Sequence, residues 1–162
     1  MATKQKNFKD LNTTRKGAIG ERVVKEMLEN AGWVVYLPVT EKAHAFDMLA
    51  IKDKHKVKAI EVKTKARLNN WAAQGIDIRH YEEYMKISHV MCIDLWLFFV
   101  DDKNGSVHAQ NLRKLPEPFV VNENIVAWYL SDMQHMATIN DRTFFEQCNK
   151  LDSRNYAYLP IT

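Results

Sequence analysis

Two short apolar runs joined by five polar residues place the strongest constraint on the fold of this 162-residue chain. The first run covers residues 45–51 (AFDMLAI) and the second covers residues 57–63 (VKAIEVK). Runs of this length with a short polar connection are typical of two strands paired through a hairpin. The sequence therefore predicts an antiparallel pair of strands, each with an acidic residue several positions away from the turn.

Asp47, Glu61 and Lys63 are predicted to lie at the same end of this hairpin. Residues two apart on a strand share a face, so Glu61 and Lys63 project together. Antiparallel pairing brings Asp47 close to Glu61. An aspartate between Phe46 and Met48 is costly to bury unless it is paired or bound to a cation. The pattern indicates a carboxylate pair with a lysine beside it.

A helix predicted over residues 15–31 supplies a third acid. Thr13 or Thr14 can begin this helix, and Gly32 can end it. Its apolar residues recur with the spacing of a helix, at Ile19, Val23, Val24, Met27 and Leu28. Glu21 lies at the edge of that apolar stripe, so its carboxylate can face the sheet instead of the solvent.

The order and spacing of Glu21, Asp47 and the tripeptide Glu61-Val62-Lys63 resemble the PD-(D/E)xK nuclease superfamily, and they are most like its archaeal Holliday-junction resolvases. The resemblance covers residues 13–100. It implies an α/β, restriction-endonuclease-like fold in which helices flank a mixed central β-sheet. Phe46 stands where the superfamily's name has proline, at a position that varies in the family.

The resemblance also implies an order of elements after the first helix. The implied strands are 33–37, 45–51, 57–63 and 95–100, with a second helix within 77–88. Residues 69–75 are expected to form a loop or an irregular connection into that second helix.

Carried over to these positions, the resemblance implies that Asp47 and Glu61 bind Mg²⁺, for which Mn²⁺ substitutes, helped by the backbone carbonyl of Val62. It implies that Lys63 positions or polarises the attacking water, and that Glu21 holds a second metal or orders a metal-bound water. Mg²⁺ keeps several waters, so one or two carboxylates and a substrate phosphate suffice as further ligands. The implied protein is a metal-dependent endonuclease acting on duplex or branched DNA.

Each of these residues alone has a plainer interpretation. Glu61 and Lys63 are typical of a solvated strand end, and Glu21 is typical of an exposed helix face. Asp47 is harder to explain away, because strands are depleted in aspartate. Two functions therefore stay open: a Mg²⁺-dependent DNA endonuclease, and a catalytically idle nucleic-acid-binding or protein-interaction domain with the same fold. Within the first, a restriction-type or transposon-end endonuclease competes with a resolvase, for which a homodimer would supply two active sites.

Basic residues crowd the predicted site, although the net charge is only +3. Positive charge beside a phosphate site supplies salt-dependent affinity for a nucleic-acid backbone, and a solubilising surface is the alternative. The candidates for DNA contact are Lys16, His44, Lys65, Arg67, Gln74 and Arg79. Tyr81, on the second helix, is more typical of a core residue. The sequence has no visible helix-turn-helix or zinc finger, which favours recognition of DNA shape or backbone over bases.

One domain is predicted over residues 13–162, after a flexible basic N-terminus at residues 1–12. The core motif region is 13–100, and the C-terminal part is 101–162. Expected in that C-terminal part are a turn at Asn104-Gly105, strands at 106–112 and 125–130, a short helix containing Met133 and Met136, and a helix at 143–150.

Cys92 and Cys148 lack the spacing of metal ligands and are expected to be reduced. Residues 91–100 form the most apolar stretch, which is too short to span a bilayer. The N-terminus is lysine-rich and has no apolar signal segment. We expect a soluble, intracellular (cytoplasmic) protein with DNA and no membrane as its partner.

Overall fold

The computed structural model describes residues 12–39, 44–68 and 71–152 of the chain. In chain order, the helices and strands of these ranges are α1 (Asn12–Asn30), β1 (Val34–Tyr36), β2 (Met48–Lys52), β3 (Lys56–Thr64), β4 (Ala73–Asp77), α2 (Ile78–Met91), β5 (Asp94–Val100), β6 (Ser106–Asn111), β7 (Phe119–Asn122), β8 (Ile125–Tyr129), β9 (Gln134–Thr138) and α3 (Arg142–Leu151). The strands form a six-stranded mixed sheet in the order β1-β2-β3-β5-β6-β9 and a three-stranded sheet in the order β4-β8-β7. The predicted fold class, a mixed sheet flanked by helices, is confirmed.

β2 and β3 form the predicted antiparallel hairpin. The turn between them is tight, because Asp53 and Lys54 both have positive φ. Asp47 lies just before β2, and its N–H donates to the Ile60 carbonyl at 3.0 Å. The pairing therefore continues past the first residue of β2 and brings Asp47 beside Glu61.

α1 packs across one face of the six-stranded sheet and contacts β3. Its buried residues, Gly20, Val24 and Leu28, follow helical spacing. A Cβ on residue 20 would overlap the hydroxyl oxygen of Thr64. Only glycine allows α1 to approach the end of β3 so closely, and this approach keeps the adjacent Glu21 near the strand ends.

β5 lies parallel to β3, and the connection between them contains β4 and α2. Alternate residues of β5 belong to two apolar clusters on opposite faces of the sheet. Phe98 packs into the cluster that includes α1, and Leu97 and Phe99 pack into the cluster that includes α2. Tyr81 contacts Trp128 edge to face with ring centroids 5.6 Å apart. Tyr81 is therefore a core residue, as its plainer interpretation predicted.

The prediction of a loop or irregular connection over residues 69–75 is wrong for residues 73–75. Ala73–Asp77 form β4, which pairs antiparallel with β8, whereas residues 69 and 70 lie outside the described residues. A Cβ on Gly75 would come within 3.0 Å of the Val126 carbonyl oxygen. Glycine is disfavoured in strands, but here it permits close approach of a neighbouring strand, which the local sequence does not reveal.

The short helix predicted around Met133 and Met136 is also wrong. Leu130–Asp132 make one turn of 3-10 helix, and Gln134–Thr138 form β9 at the edge of the six-stranded sheet. β9 pairs antiparallel with β6. Backbone groups that find ladder partners in this way override a weak local preference for helix.

The other predictions for the C-terminal part are confirmed. Gly105 has a positive φ of 74° in the turn between β5 and β6, and α3 places Phe144 and Cys148 in the core. Cys92 is exposed, and both cysteines are free. No helix of the described ranges is long and apolar enough to cross a membrane. Residues 1–11, most of the predicted flexible tail, lie outside the described residues, whereas Asn12 belongs to α1.

We predict that Gly20→Ala lowers the free energy of unfolding by about 1–3 kcal/mol, because the new methyl group overlaps Thr64 in a packed contact. Urea denaturation measures this change. The matched control is Gly17→Ala on the same helix, whose Cβ would lie 3.6 Å from the Glu21 carboxylate, an ordinary contact. The control should gain about 0.5–1 kcal/mol from helix propensity. Equal stability of the two variants would contradict the close approach of α1 to β3.

Candidate active site

A cleft of about 430 Å³ opens where α1, the beginning of β2, the end of β3 and α2 meet. We call it the acidic cleft. The predicted site residues that line it are Glu21, His44, Asp47, Glu61, Val62, Lys63 and Lys65. The structure thus brings together all four predicted catalytic residues, from a helix and two neighbouring strands.

Asp47 is held at the inner side of the acidic cleft. The backbone N–H of Val62 donates to its Oδ2 at 2.7 Å, and only 12% of the side chain is exposed. Burial, and then the nearby charge of Glu61, raise the pKa of Asp47 from 3.8 to about 7, against the lowering effect of the Val62 hydrogen bond. The two carboxylates therefore repel each other in surroundings poor in water.

Glu61 accepts two short hydrogen bonds from other residues of the cleft. Its Oε1 accepts hydrogen bonds from Lys63 Nζ at 2.6 Å and from the Tyr84 hydroxyl at 2.5 Å. Burial and the Glu61 charge raise the pKa of Tyr84, so this hydroxyl stays protonated and remains a donor. Lys63 Nζ also lies 5.4 Å from the centre of the Tyr84 ring. The ammonium is thereby fixed between a carboxylate and an aromatic face.

Tyr84 was not among the predicted site residues, although its position on the second helix allows it to lie towards a substrate. It lies on α2 with its side chain buried, three residues after Tyr81 and four before Ser88. Tyr84 and Ser88 are the buried residues of α2, and their spacing of four places them on one side of the helix. The identity of its partner depends on how α2 packs over β3.

Glu21 faces the cleft from α1, in agreement with its predicted inward orientation. Burial raises its pKa, and among the neighbouring charges Glu61 adds to this rise, while His44 and Lys63 oppose it. Three acids that influence one another therefore surround the same space. Such a space favours positive charge.

His44, Lys65 and Gln74 lie at or behind the same cleft. His44 Nδ1 lies 2.9 Å from the Phe46 carbonyl oxygen and 3.9 Å from Asp47 Oδ1. Gln74 is buried in β4, and its Nε2 donates to the Lys65 carbonyl at 3.3 Å. Gln74 thus supports the backbone of Lys65 from behind, while Lys65 itself lines the cleft.

The remaining DNA-contact candidates do not line the acidic cleft. They are paired with carboxylates elsewhere, Lys16 with Asp102, Arg67 with Asp101 and Arg79 with Asp77. The first two of these partners are buried, which makes those pairs part of the packing. Arg79 is exposed beside Asp77, which caps the first turn of α2.

The acidic cleft offers oxygen donors from Asp47 and Glu61 to a hard divalent cation. Within residues 12–39, 44–68 and 71–152, no group of three or more His, Cys, Asp or Glu side chains could hold a metal ion, so these ranges contain no cage of such ligands. Mg²⁺ needs no such cage, because it retains waters and shares its positions with substrate phosphates. The donor set therefore fits an open Mg²⁺ site better than a structural metal site.

No protein-family model matches this chain, and no curated protein matches it by sequence. Among solved structures, the chain is similar to Hjc, a Holliday junction resolvase of the archaeal hyperthermophile Archaeoglobus fulgidus, with a TM-score of 0.55 and 16% identity over 75% of this chain and 93% of that chain. The bacterial homing endonuclease I-Ssp6803I is also similar, with a TM-score of 0.47 and 11% identity over 88% of this chain and 95% of that chain. The likeness to Hjc shows that this chain has the restriction-endonuclease-like fold of PD-(D/E)xK nucleases, which confirms the resemblance in the sequence at the level of fold.

We predict that Asp47→Asn stabilises the folded protein at neutral and alkaline pH. The folded-state pKa, about 7, lies above the ordinary 3.8, so the wild type loses stability as the pH rises from about 4 to 7, and this loss is complete above pH 7. Asparagine keeps an acceptor for the Val62 N–H and removes the charge. Thermal melts should show a gain of roughly 1–3 kcal/mol at pH 8 and a much smaller one at pH 4. An equal gain at both values would refute the burial of an ionised Asp47.

Proposed function

We propose that this protein is a metal-dependent endonuclease that hydrolyses phosphodiester bonds of DNA. The observation that carries the proposal is a pair of carboxylates, the buried Glu61 and Asp47 with only 12% of its side chain exposed, with Lys63 held 2.6 Å from Glu61. This group lies in a cleft of a chain that has a nuclease fold. Fold alone does not specify function, so the chemistry of the cleft has to carry the proposal.

Asp47, Glu61 and the backbone carbonyl of Val62 are the proposed ligands of Mg²⁺, or of Mn²⁺ in its place. A Mg²⁺ ion held by these residues would lower the pKa of water and offset charge on the phosphate. No lysine or arginine of the described residues forms an ion pair with Asp47, and its one basic neighbour at ion-pair distance is His44, 3.9 Å away. Burial and the charge of Glu61 raise its pKa. A divalent cation would supply the missing positive charge.

The other residues of the cleft act on orientation and charge. Lys63 places its ammonium where charge develops on the phosphate, and Glu61 and Tyr84 prevent it from moving away. Glu21 approaches from the α1 side, where it orders water or contributes to a second cation site. A preorganised arrangement of this kind lowers the barrier because little rearrangement is needed during the reaction.

Branched DNA is the proposed preferred substrate, acted on by a homodimer. The support comes from the likeness to Hjc, which is a Holliday junction resolvase, and from the lack of a recognisable base-reading module in the sequence. Two active sites in one dimer would cut two strands of a junction.

We predict that the wild type cleaves DNA when Mg²⁺ or Mn²⁺ is present and that Lys63→Ala cleaves it much more slowly. Each protein is incubated with labelled DNA and with Mg²⁺, Mn²⁺ or EDTA. The DNA is a linear duplex, a single strand or a four-way junction, and the cleavage products are quantified on a denaturing gel. Loss of one electrostatic stabiliser should slow cleavage by about 100- to 1000-fold. The matched control is Lys56→Ala, which removes an exposed lysine at the beginning of β3 and should cut like the wild type.

Cleavage that continues in EDTA would exclude the proposed metal dependence. A folded, metal-supplied wild type that cuts none of the three DNAs would move the interpretation to a catalytically idle binding domain. Preference for the four-way junction over duplex would support the resolvase, and equal cutting would support a general endonuclease.

We further predict that Mg²⁺ or Mn²⁺ raises the melting temperature of the wild type and has little effect on Asp47→Asn. A ligand that binds only the folded state stabilises it by about 2.7 kcal/mol at 100 times its Kd. The matched control is Asp53→Asn, the same chemical change in the exposed turn of the hairpin, at a positive φ that asparagine tolerates. If the metal shifts all three proteins equally, the ion does not bind at Asp47.

A further inference from the structure

Most of the basic side chains around the acidic cleft are already neutralised by carboxylates. The ion pairs are Lys16 with Asp102, Lys63 with Glu61, Arg67 with Asp101 and Arg79 with Asp77. A cation that forms such a pair has to break it, or share it, before it can bind another anion. These residues are therefore poor candidates for a strong contact with a DNA phosphate.

Lys65 is different from all of them. It lines the acidic cleft, it is half-buried, and it forms no ion pair with any carboxylate in residues 12–39, 44–68 and 71–152. Burial, and then the charge of Lys63, lower its pKa from 10.5 to about 8. The protein thus keeps a desolvated ammonium in an open cleft without a counter-ion of its own.

The position of Lys65 is fixed on two sides. Its N–H donates to the Val100 carbonyl at 3.0 Å, which continues the pairing of β3 with β5. Its carbonyl accepts from Gln74 Nε2 at 3.3 Å, from the neighbouring sheet. A lysine two residues beyond Lys63 on an anchored, extended backbone starts from the same face of the chain as Lys63.

We propose that Lys65 binds a phosphate of the DNA backbone adjacent to the phosphate that is cleaved, and that it is the main phosphate-binding lysine of the cleft outside the catalytic group. This inference rests on the proposed function for the identity of the anion as a nucleic-acid phosphodiester. Thr13 and Thr14 line the same cleft from α1, and their hydroxyl groups supply further hydrogen-bond donors.

The physical reason is the imbalance of charge in the free protein. An unpaired, half-buried ammonium is destabilising, and an arriving phosphodiester offsets that cost through a charge-assisted hydrogen bond. The same contact releases the counterion that the phosphate carried in solution, so it makes binding depend on salt concentration.

The test measures DNA binding in EDTA, where cleavage does not take place, by fluorescence anisotropy of a labelled duplex over a range of NaCl concentrations. Lys65→Gln should make the slope of log K against log[salt] shallower by about 0.9, which corresponds to affinity that is roughly eightfold weaker at 0.1 M salt. Lys65→Arg should keep the wild-type slope, because it retains the charge. The matched control is Lys56→Gln, which removes an equal charge from an exposed ion pair outside the cleft and should leave the slope unchanged.

A second measurement separates a binding role from a structural one. If Lys65 serves binding, Lys65→Gln should melt at the wild-type temperature or above it, because an unpaired charge has been removed from a half-buried position. A lower melting temperature together with an unchanged slope would mean that Lys65 stabilises the fold, and would overturn the inference.

The two proposals fail in different ways. A wild-type slope in Lys65→Gln, with DNA still bound, overturns the assignment of Lys65 and leaves the endonuclease proposal intact. A shallower slope in Lys65→Gln, together with a wild type that cuts no DNA, supports the phosphate site at Lys65 and overturns the endonuclease proposal. If the wild type shows no salt-dependent binding to DNA in EDTA, the assignment of Lys65 is overturned, whereas the endonuclease proposal is decided by the cleavage assay with Mg²⁺ or Mn²⁺.

Discussion

Burial of two carboxylates side by side is the constraint on which the rest of the acidic cleft depends. Asp47 and Glu61 come together because β2 and β3 pair antiparallel and the pairing extends to the Asp47 N–H. In water two such groups would separate, but here the backbone holds them in place. The Val62 N–H and the ammonium of Lys63 relieve part of the repulsion. The remaining negative charge makes the cleft receptive to a cation.

The charged side chains of the acidic cleft lower the stability of the folded protein. Desolvation raises the pKa of Asp47 and of Glu21 and lowers that of Lys65, so acids and base alike are held in surroundings that disfavour their charge. A fold tolerates such groups when the rest of its structure is well packed. β5 supplies much of this packing, because its side chains are buried in apolar clusters on both faces of the sheet. Strain concentrated at one place, on a sheet that is otherwise well packed, is the pattern expected of a functional site.

The basic residues near the cleft fall into two groups, those that form ion pairs with buried acids and those that do not. Lys16 and Arg67 neutralise the buried acids Asp102 and Asp101 after β5, and so tie α1 and the segment after β3 to the turn that leads into β6. Removing one partner of such a pair leaves a buried charge unpaired, which is strongly destabilising. Lys65 lacks a partner of this kind. Sequence position does not separate the two groups, since Arg67 and Lys65 are only two residues apart.

The local pattern of the sequence determined the helix that carries Glu21, the hairpin that carries Asp47 and Glu61, and the strand and turn that end at Gly105. Each of these depends on residues close together in the chain, through helical spacing, strand alternation or turn chemistry. Only the tertiary structure decided that Ala73–Asp77 and Gln134–Thr138 are strands, that Tyr84 donates to Glu61, and that Lys65 alone among the basic candidates of the cleft has no carboxylate partner in the described ranges. These features depend on contacts between residues far apart in the chain, such as β4 with β8, and a single sequence does not encode such partners in any local period.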